Sequence, residues 1–452
     1  MASFSVQSGQ RIASELIWAP TYSRDAVPKF AAEDRLRETE RWWKDWAGRC
    51  DYRSEWSEAV LRSLITLKAL TYAPTGGLVA APTTSLPEQL GGVRNWDYRF
   101  CWLRDATFTL YALMVGGYVE EARAWREWLV NAVAGTPSQM QIMYGLAGER
   151  RLPETEIEWL PGYAGSTPVR IGNAAHEQRQ FDIYGEVMDA LYLTLQDDGS
   201  PDENAWRVAS ELIAFVEEVW MQPDEGIWEM RTPPQQFTHS KVMCWVALDR
   251  AVKAVETNSL RGDVEKWRGL RERIRREVLA RGFNPEVNAF VQSYGSSLPD
   301  ASLLMLPLVG FISPDDQRMV GTVKLIEKHL LRGGFVDRYP PGTDGLPPGE
   351  GAFLLCSFWY ADNLALQGRR KEARQVFEQL LAIRNDVGLL AEQYDSHTRR
   401  QLGNFPQAFS HVGLINTARN LDRKGGPAEH RGGSTANSVY GRRNRAGMPL
   451  VP

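Results

Sequence analysis

The sequence predicts an all-α protein: an (α/α)6 barrel of six inner and six outer helices, with a short β-hairpin before it. Three observations carry the prediction. About twelve helical segments succeed one another after residue 55. They alternate between segments that are apolar or small nearly all round and segments that are amphipathic and heavily charged, as buried and outer helices should be. The links alternate as well, short from an inner to the next outer helix and long from an outer helix to the next inner one.

The helical spans are 55–72, 104–115, 119–133, 182–196, 203–220, 238–255, 264–280, 300–308, 317–331, 351–366, 371–383 and 406–421. Segments 104–115, 238–255, 300–308 and 351–366 have the inner character; 119–133, 264–280 and 371–383 have the outer one. The short links include Gly116-Gly117-Tyr118 and Gln367-Gly368-Arg369. The long links are 73–103, 134–181, 221–237, 281–299, 332–350 and 384–405. Long loops in a compact domain are usually functional. In this topology all six gather at one end, against inner-helix N-termini whose unpaired N–H groups favour oxygen-rich ligands.

Ahead of the barrel, residues 3–19 alternate apolar and polar about a Ser8-Gly9-Gln10 turn and read as a hairpin. The predicted organisation is a hairpin region over 1–31, a linker helix over 32–50, the barrel over 51–423 and a Gly-, Arg-, Ser- and Asn-rich tail over 424–452.

A chain of 452 residues can bury a large core. With 52 Lys plus Arg against 56 Asp plus Glu, it lacks the basic excess that a nucleic-acid partner calls for. Cys50, Cys101, Cys244 and Cys356 form no CxxC pair, so reduced thiols and a cytoplasmic location are expected. The sequence shows neither a signal peptide nor an apolar run of the roughly eighteen residues that span a membrane. His176, His239, His329, His397, His411 and His430 show no metal-binding spacing, and no metal is expected. Nucleotide loops and the GxSxG elbow are also missing.

The densest stretch runs from Arg94 through Asn95, Trp96, Asp97, Tyr98, Arg99, Phe100, Cys101, Trp102, Leu103 and Arg104 to Asp105. Aromatic faces suit the apolar side of a pyranose, and Arg and Asp suit its hydroxyls. A salt-bridged loop beside core aromatics is the other reading.

The remaining loops add carboxylates. Glu229 stands between Trp228 and Met230, apolar company that favours the protonated form a general acid needs. A structural pair with Arg231 is the alternative. Glu392, in Ala391-Glu392-Gln393-Tyr394-Asp395, is a general-base candidate or an ordinary surface Glu. Arg338 and Tyr339 precede Glu350, which Arg338 could merely neutralise. Trp159, Arg170, Asn173, Gln180 and Asp182 in the second long loop are hydroxyl partners or braces for the loop. Two carboxylates across an aromatic- and Arg-lined pocket equip a protein for glycoside hydrolysis.

These motifs resemble glycoside hydrolase family 15, the glucoamylase family, in its bacterial branch that also contains trehalases. Tyr98, Trp102, Arg104 and Asp105 match the segment that holds the non-reducing-end glucose, and Ile227-Trp228-Glu229 the one that carries the general acid. Arg338-Tyr339 matches a pair at the first subsites. Ala391-Glu392-Gln393-Tyr394-Asp395 matches the general-base segment. The run Asn404 to His411 is similar to the family's closing motif. The likeness covers roughly residues 51 to 421. It implies inversion, with carboxyls about 6.5–9.5 Å apart. Bacterial members usually carry a β-sandwich before the barrel, of which only the hairpin and linker helix are expected here.

The function expected is exo-acting hydrolysis that releases β-glucose from malto- or isomalto-oligosaccharides, with trehalose as the alternative substrate. A phosphorylase, which Glu392 argues against, and a non-catalytic glycan-binding toroid are the rivals. Glu229 is the expected acid and Glu392 the expected base. Tyr98, Trp102, Arg104, Asp105, Asn173, Asp182, Trp228, Arg338, Tyr339 and Glu350 are the expected substrate contacts. No cofactor is expected, though the trehalase branch would allow phosphate and magnesium. The partner is the glucoside itself, with no nucleic acid or membrane, and homo-oligomers are allowed.

Overall fold

The computed structural model describes residues 3–14, 16, 31–198 and 203–422. The chain divides into two units, Met1–Asp51 and Tyr52–Pro452.

In the first unit, helix α1 spans Ala32–Gly48, with Glu33 and Asp34 in its first turn, where acidic groups complement the helix dipole. Trp42, Trp43 and Trp46 meet edge to face along it, with centroids 4.9 and 6.0 Å apart. The expected hairpin is present only as its turn, where Gln10 N donates to Gln7 O at 3.0 Å. No strand forms among the described residues 3–14 and 16, and Ile17, Trp18 and Ala19 lie outside them. A lone two-stranded hairpin has no face to bury and is marginal in water.

The second unit carries the barrel. Its helices are α2 (Ser57–Ala69), α3 (Leu103–Gly116), α4 (Val119–Ala132), α5 (Asp182–Asp198), α6 (Glu203–Val219), α7 (Thr238–Asn258), α8 (Val264–Arg281), α9 (Met305–Leu308), α10 (Gln317–His329), α11 (Leu354–Leu366), α12 (Arg370–Ala382) and α13 (Ala408–Asp422). α3 packs on α5, α5 on α7, α7 on α9, α9 on α11 and α11 on α13; α13 returns to α3 and closes an inner ring. α2, α4, α8 and α12 pack outside it, against α13, α3, α7 and α11 respectively.

The burial follows the sequence pattern. α7 and α11 are buried along nearly their whole length. The outer helix α8 buries one stripe, Trp267, Leu270, Ile274 and Val278, at helical spacing. Each such side chain contributes about 1.5–3 kcal/mol of transfer free energy. Asp263 caps α8 by accepting from Lys266 N at 3.2 Å, and Asp316 caps α10 by accepting from Arg318 N at 2.9 Å. α3 stops at Gly117, whose φ of 92° suits the left-handed C-cap.

Two inner helices are shorter than expected. The segment from 300 to 308 is a 3-10 turn, Ala301–Leu304, followed by α9, in which Pro307 removes a backbone donor. α11 starts at Leu354 because Ala352 and Phe353 pair instead with Tyr394 and Gln393 in a three-stranded sheet. That sheet brings the sixth long loop against the N-terminus of α11.

Candidate active site

Long loops deliver side chains to one hollow at the N-terminal end of the inner helices. Loop 73–103 supplies Glu88, Arg94, Trp96, Tyr98 and Trp102, and loop 221–237 supplies Ile227, Trp228, Glu229 and Arg231. Loop 332–350 supplies Arg338, Tyr339, Asp344 and Leu346, and loop 384–405 supplies Glu392. Arg104 and Asp105 enter from the first turn of α3. The hollow encloses about 670 Å³, counting its open mouth, within the range of small-ligand sites.

Glu229 is held from both ends. Trp102 Nε1 donates to its Oε1 at 2.9 Å, and Arg104 Nη2 lies 4.0 Å from the same oxygen. Its backbone has φ of 58°, in the left-handed region that a non-glycine residue adopts only when its surroundings hold it there. The hold comes from Glu229 N donating to Gly226 O at 3.2 Å, and from Trp228 beside it. Trp228 Nε1 donates to Asp300 Oδ1 at 2.8 Å, and its ring packs against Phe353, Trp359 and Tyr339 at 5.7, 6.2 and 6.4 Å. Arg104 Nη1 donates to Ile227 O at 2.6 Å, which ties α3 to this turn.

Glu392 stands immediately before Gln393–Asp395, the central strand of the three-stranded sheet. Tyr98 Oη donates to its Oε1 at 2.8 Å. Its backbone is fixed by Glu392 N donating to Asn404 O at 3.2 Å and by Leu354 N donating to Glu392 O at 3.1 Å. Burial pushes its carboxyl well above the usual range; Glu88 adds to the rise, while Arg338 and the Tyr98 hydrogen bond oppose it. Asp105 is pushed up to about 7 by burial, against the pull of Arg104.

Around these two lies an ion-pair frame. Arg338 Nη2 bonds Glu88 Oε2 at 3.0 Å and also Glu350. Arg94 Nη1 bonds Asp344 Oδ2 at 2.7 Å, and Tyr339 Oη donates to the same oxygen at 3.0 Å. Arg170 and Arg231 lie 4.6 and 5.0 Å from the centroid of the Trp96 ring.

The family model for glycosyl hydrolases family 15 matches residues 55–419. The chain belongs to that family.

Among curated family 15 relatives, the trehalase of Thermoplasma acidophilum is 41% identical over 388 residues, covering 86% of this chain and 66% of its own length. The trehalase of Mycobacterium tuberculosis is 41% identical over 398 residues, covering 87% of this chain and 58% of its own length. Trehalase 1 of Sulfolobus acidocaldarius is 37% identical over 387 residues, covering 85% and 66%. The chain thus spans 58% to 66% of the length of these relatives. Among solved structures, a bacterial glucoamylase complexed with acarbose aligns at a TM-score of 0.66 and 15% identity, covering 87% of this chain and 60% of that one. The glucoamylase of Saccharomycopsis fibuligera aligns at 0.59 and 15%, covering 88% and 97%. Both share the fold.

In this family 15 chain, Tyr98, Trp102, Arg104, Asp105, Trp228, Arg338 and Tyr339 line the hollow, together with Glu229 and Glu392. Three of the expected substrate contacts do not line it. Asn173 is a cap: its Oδ1 accepts from Ala175 N at 3.0 Å and its Nδ2 donates to Asp97 O at 3.3 Å. Asp182 is wholly buried at the start of α5, where burial pushes it up to about 6 against the pull of Arg104. Glu350 stands behind Arg338, as the neutralising partner, 3.6 Å from Arg94. The second long loop therefore braces the site; Arg170 Nη1, for example, donates to Val93 O and Asn95 O, each at 3.0 Å.

Glu88, Trp96, Arg231, Asp344, Leu346, Phe353, Gln407 and Phe409 line the hollow and were not among the expected contacts. Glu88 and Asp344 stood in the right loops, and that was their only signal. Among the described residues, no group of three or more His, Cys, Asp or Glu side chains could hold a metal ion, and no helix is long and apolar enough to cross a membrane.

Proposed function

We propose that this chain hydrolyses α,α-trehalose with inversion, using Glu229 as general acid and Glu392 as general base. The observation that carries the substrate is the set of trehalases at 37% to 41% identity over most of the chain. The malto- and isomalto-oligosaccharide reading has only the likeness to glucoamylases at 15% identity behind it, which speaks for the fold alone. The two carboxylates, each fixed by an aromatic donor in one hollow, support catalysis over passive glycan binding.

In the proposed reaction Glu229 gives its proton to the glycosidic oxygen while Glu392 takes one from water. The water oxygen bonds to the anomeric carbon as the carbon–oxygen glycosidic bond breaks. Arg104, Asp105 and Arg338 hold the hydroxyls of the glucose under attack, and Tyr98, Trp102 and Trp228 wall its ring. Trp102 aims Glu229, and Tyr98 stabilises the ionised Glu392. Only the attacked carbon inverts, so one molecule of trehalose yields one β-glucose and one α-glucose.

The test is proton NMR of the first turnovers on trehalose, maltose and isomaltose, each with and without phosphate and magnesium. Trehalose consumed fastest, with equal initial α- and β-anomers, is the expected result. Maltose or isomaltose consumed faster restores the oligosaccharide reading. Inertness toward all three removes the catalytic one.

A further inference from the structure

Glu88 lines the hollow, yet the mechanism leaves it idle. It is buried, 1% exposed, as is Glu392. Arg338 Nη2 bonds Glu88 Oε2 at 3.0 Å and bonds Glu350 as well. Arg94, the second guanidinium, is taken up by Asp344 at 2.7 Å. Glu392 has one direct donor, the Tyr98 hydroxyl. Its Oε2 is buried without a hydrogen-bond partner, and Gly403 backs it so closely that a Cβ there would lie 2.5 Å away. Gln393 lies beside Glu88 and opposes the rise of its carboxyl, and it gives Glu392 no hydrogen bond. Glu392 is therefore the third carboxylate around one guanidinium that two others already bond. A buried carboxylate without a matched cation is costly to ionise.

We propose that Glu88 is a positioning residue for the general base: by holding Arg338, it withholds that cation from Glu392 and sets the pH at which Glu392 becomes ionised. The inference rests on the reading of Glu392 as the base. The charged and titratable groups facing Glu392 are Glu88, Arg338, Tyr98 and Glu350, and those facing Glu88 are Arg338, Glu350, Arg94, Glu392 and Tyr98. Burial raises both carboxyls, and Glu88 raises Glu392 further. With Arg338 bonded to it, Glu88 ionises first, and Glu392 then ionises beside a like charge. A general base works only when ionised, so the acidic limb of the rate profile belongs to Glu392.

The experiment is the pH profile of kcat/KM on trehalose for wild type, Glu88→Gln and Glu88→Asp. The neutral isostere should move the acidic limb to lower pH by on the order of one unit. Glu88→Asp keeps the charge and should leave the limb within about 0.3 unit of wild type. An unmoved limb in Glu88→Gln, or one moved upward, overturns the proposal even if KM rises, because a residue that only braces Arg338 changes binding alone.

Infrared titration of the carboxyl stretch needs no turnover. The band lost in Glu392→Gln should have the higher midpoint of the pair, and Glu88→Gln should lower that midpoint. If Glu88→Gln does not fold, Glu392→Gln decides by itself, since loss of the lower-midpoint band overturns the proposal. A wild type inert on every glucoside but showing the stated midpoints would remove the catalytic reading and leave the charge competition standing.

Discussion

The rings of Tyr98 and Trp102 meet edge to face with centroids 5.3 Å apart, and each donates a hydrogen bond to one of the two glutamates: Tyr98 to Glu392 at 2.8 Å, Trp102 to Glu229 at 2.9 Å. One aromatic pair thus sets the position of both carboxylates. The Tyr98 hydrogen bond favours the ionised form of Glu392. Tyr98→Phe should therefore raise the acidic limb of the kcat/KM profile, opposite in sign to Glu88→Gln, and lower kcat about tenfold. Trp102→Phe keeps a ring but loses the donor to Glu229. It should lower kcat by a similar factor and leave the acidic limb in place. Steady-state rates from pH 4 to 9 check both.

Removing either glutamate's ionisable group is the more direct probe. Glu229→Gln and Glu392→Gln should each lower kcat about 10²–10⁴-fold. Neither change alters shape or volume, so far-UV circular dichroism and the melting temperature should stay close to wild type. An active variant at either position, with the fold intact, removes that residue from its role. In Glu392→Ala the vacated space lets azide attack the anomeric carbon in place of water while Glu229 protonates the leaving oxygen, so azide should restore part of the turnover as β-glucosyl azide; Glu229→Ala, which lacks the acid, should not be restored in this way.

The helices were legible because burial has a period. Trp267, Leu270, Ile274 and Val278 recur at the spacing of one helix face, and α7 is apolar or small over most of its surface and buried along most of its length, its charged Lys241, Asp249 and Arg250 included. The long loops were legible as a class, since an outer helix must send the chain back across the barrel end to start the next inner one. What each loop residue does was not legible. Glu88 acquires its role from Arg338, 250 positions away, and no local pattern records that pairing. Asn173 misled by composition: an amide can serve a sugar, but directly ahead of the 3-10 turn Ala174–Glu177 it caps Ala175 N instead. Asp344 follows Tyr339 by five positions in a loop with no periodicity, and only the fold brings it against Arg94.

That contact makes Asp344 a further prediction. It accepts from Arg94, from Tyr339 Oη and, at 3.2 Å, from Leu346 N, so it pins the loop that walls one side of the hollow. Asp344→Ala leaves the buried Arg94 guanidinium only the longer ion pair with Glu350, at 3.6 Å, and frees the loop. Stability should fall by about 3 kcal/mol, read from urea unfolding, and KM should rise more than kcat falls. Asp344→Asn keeps the hydrogen-bonding shape without the charge and should fall between wild type and alanine.

A last prediction concerns the pH dependence of folding, through a carboxyl outside the hollow. Asp362 is buried in α11, and burial pushes its carboxyl up from 3.8 to about 7, against opposing hydrogen bonds from Asn420 and Thr417. A raised acid pKa means that the folded state holds the proton more tightly than the unfolded chain. The stability linked to that proton is fully present below the unfolded value near 3.8 and is lost as pH rises through about 7. Asp362→Asn replaces the acid with a neutral group of the same size at every pH. Wild type should therefore lose stability relative to Asp362→Asn between pH 4 and 8, by on the order of 4 kcal/mol. Urea midpoints for the two proteins across that range give the difference. Parallel curves would show that Asp362 titrates alike in the folded and unfolded chains.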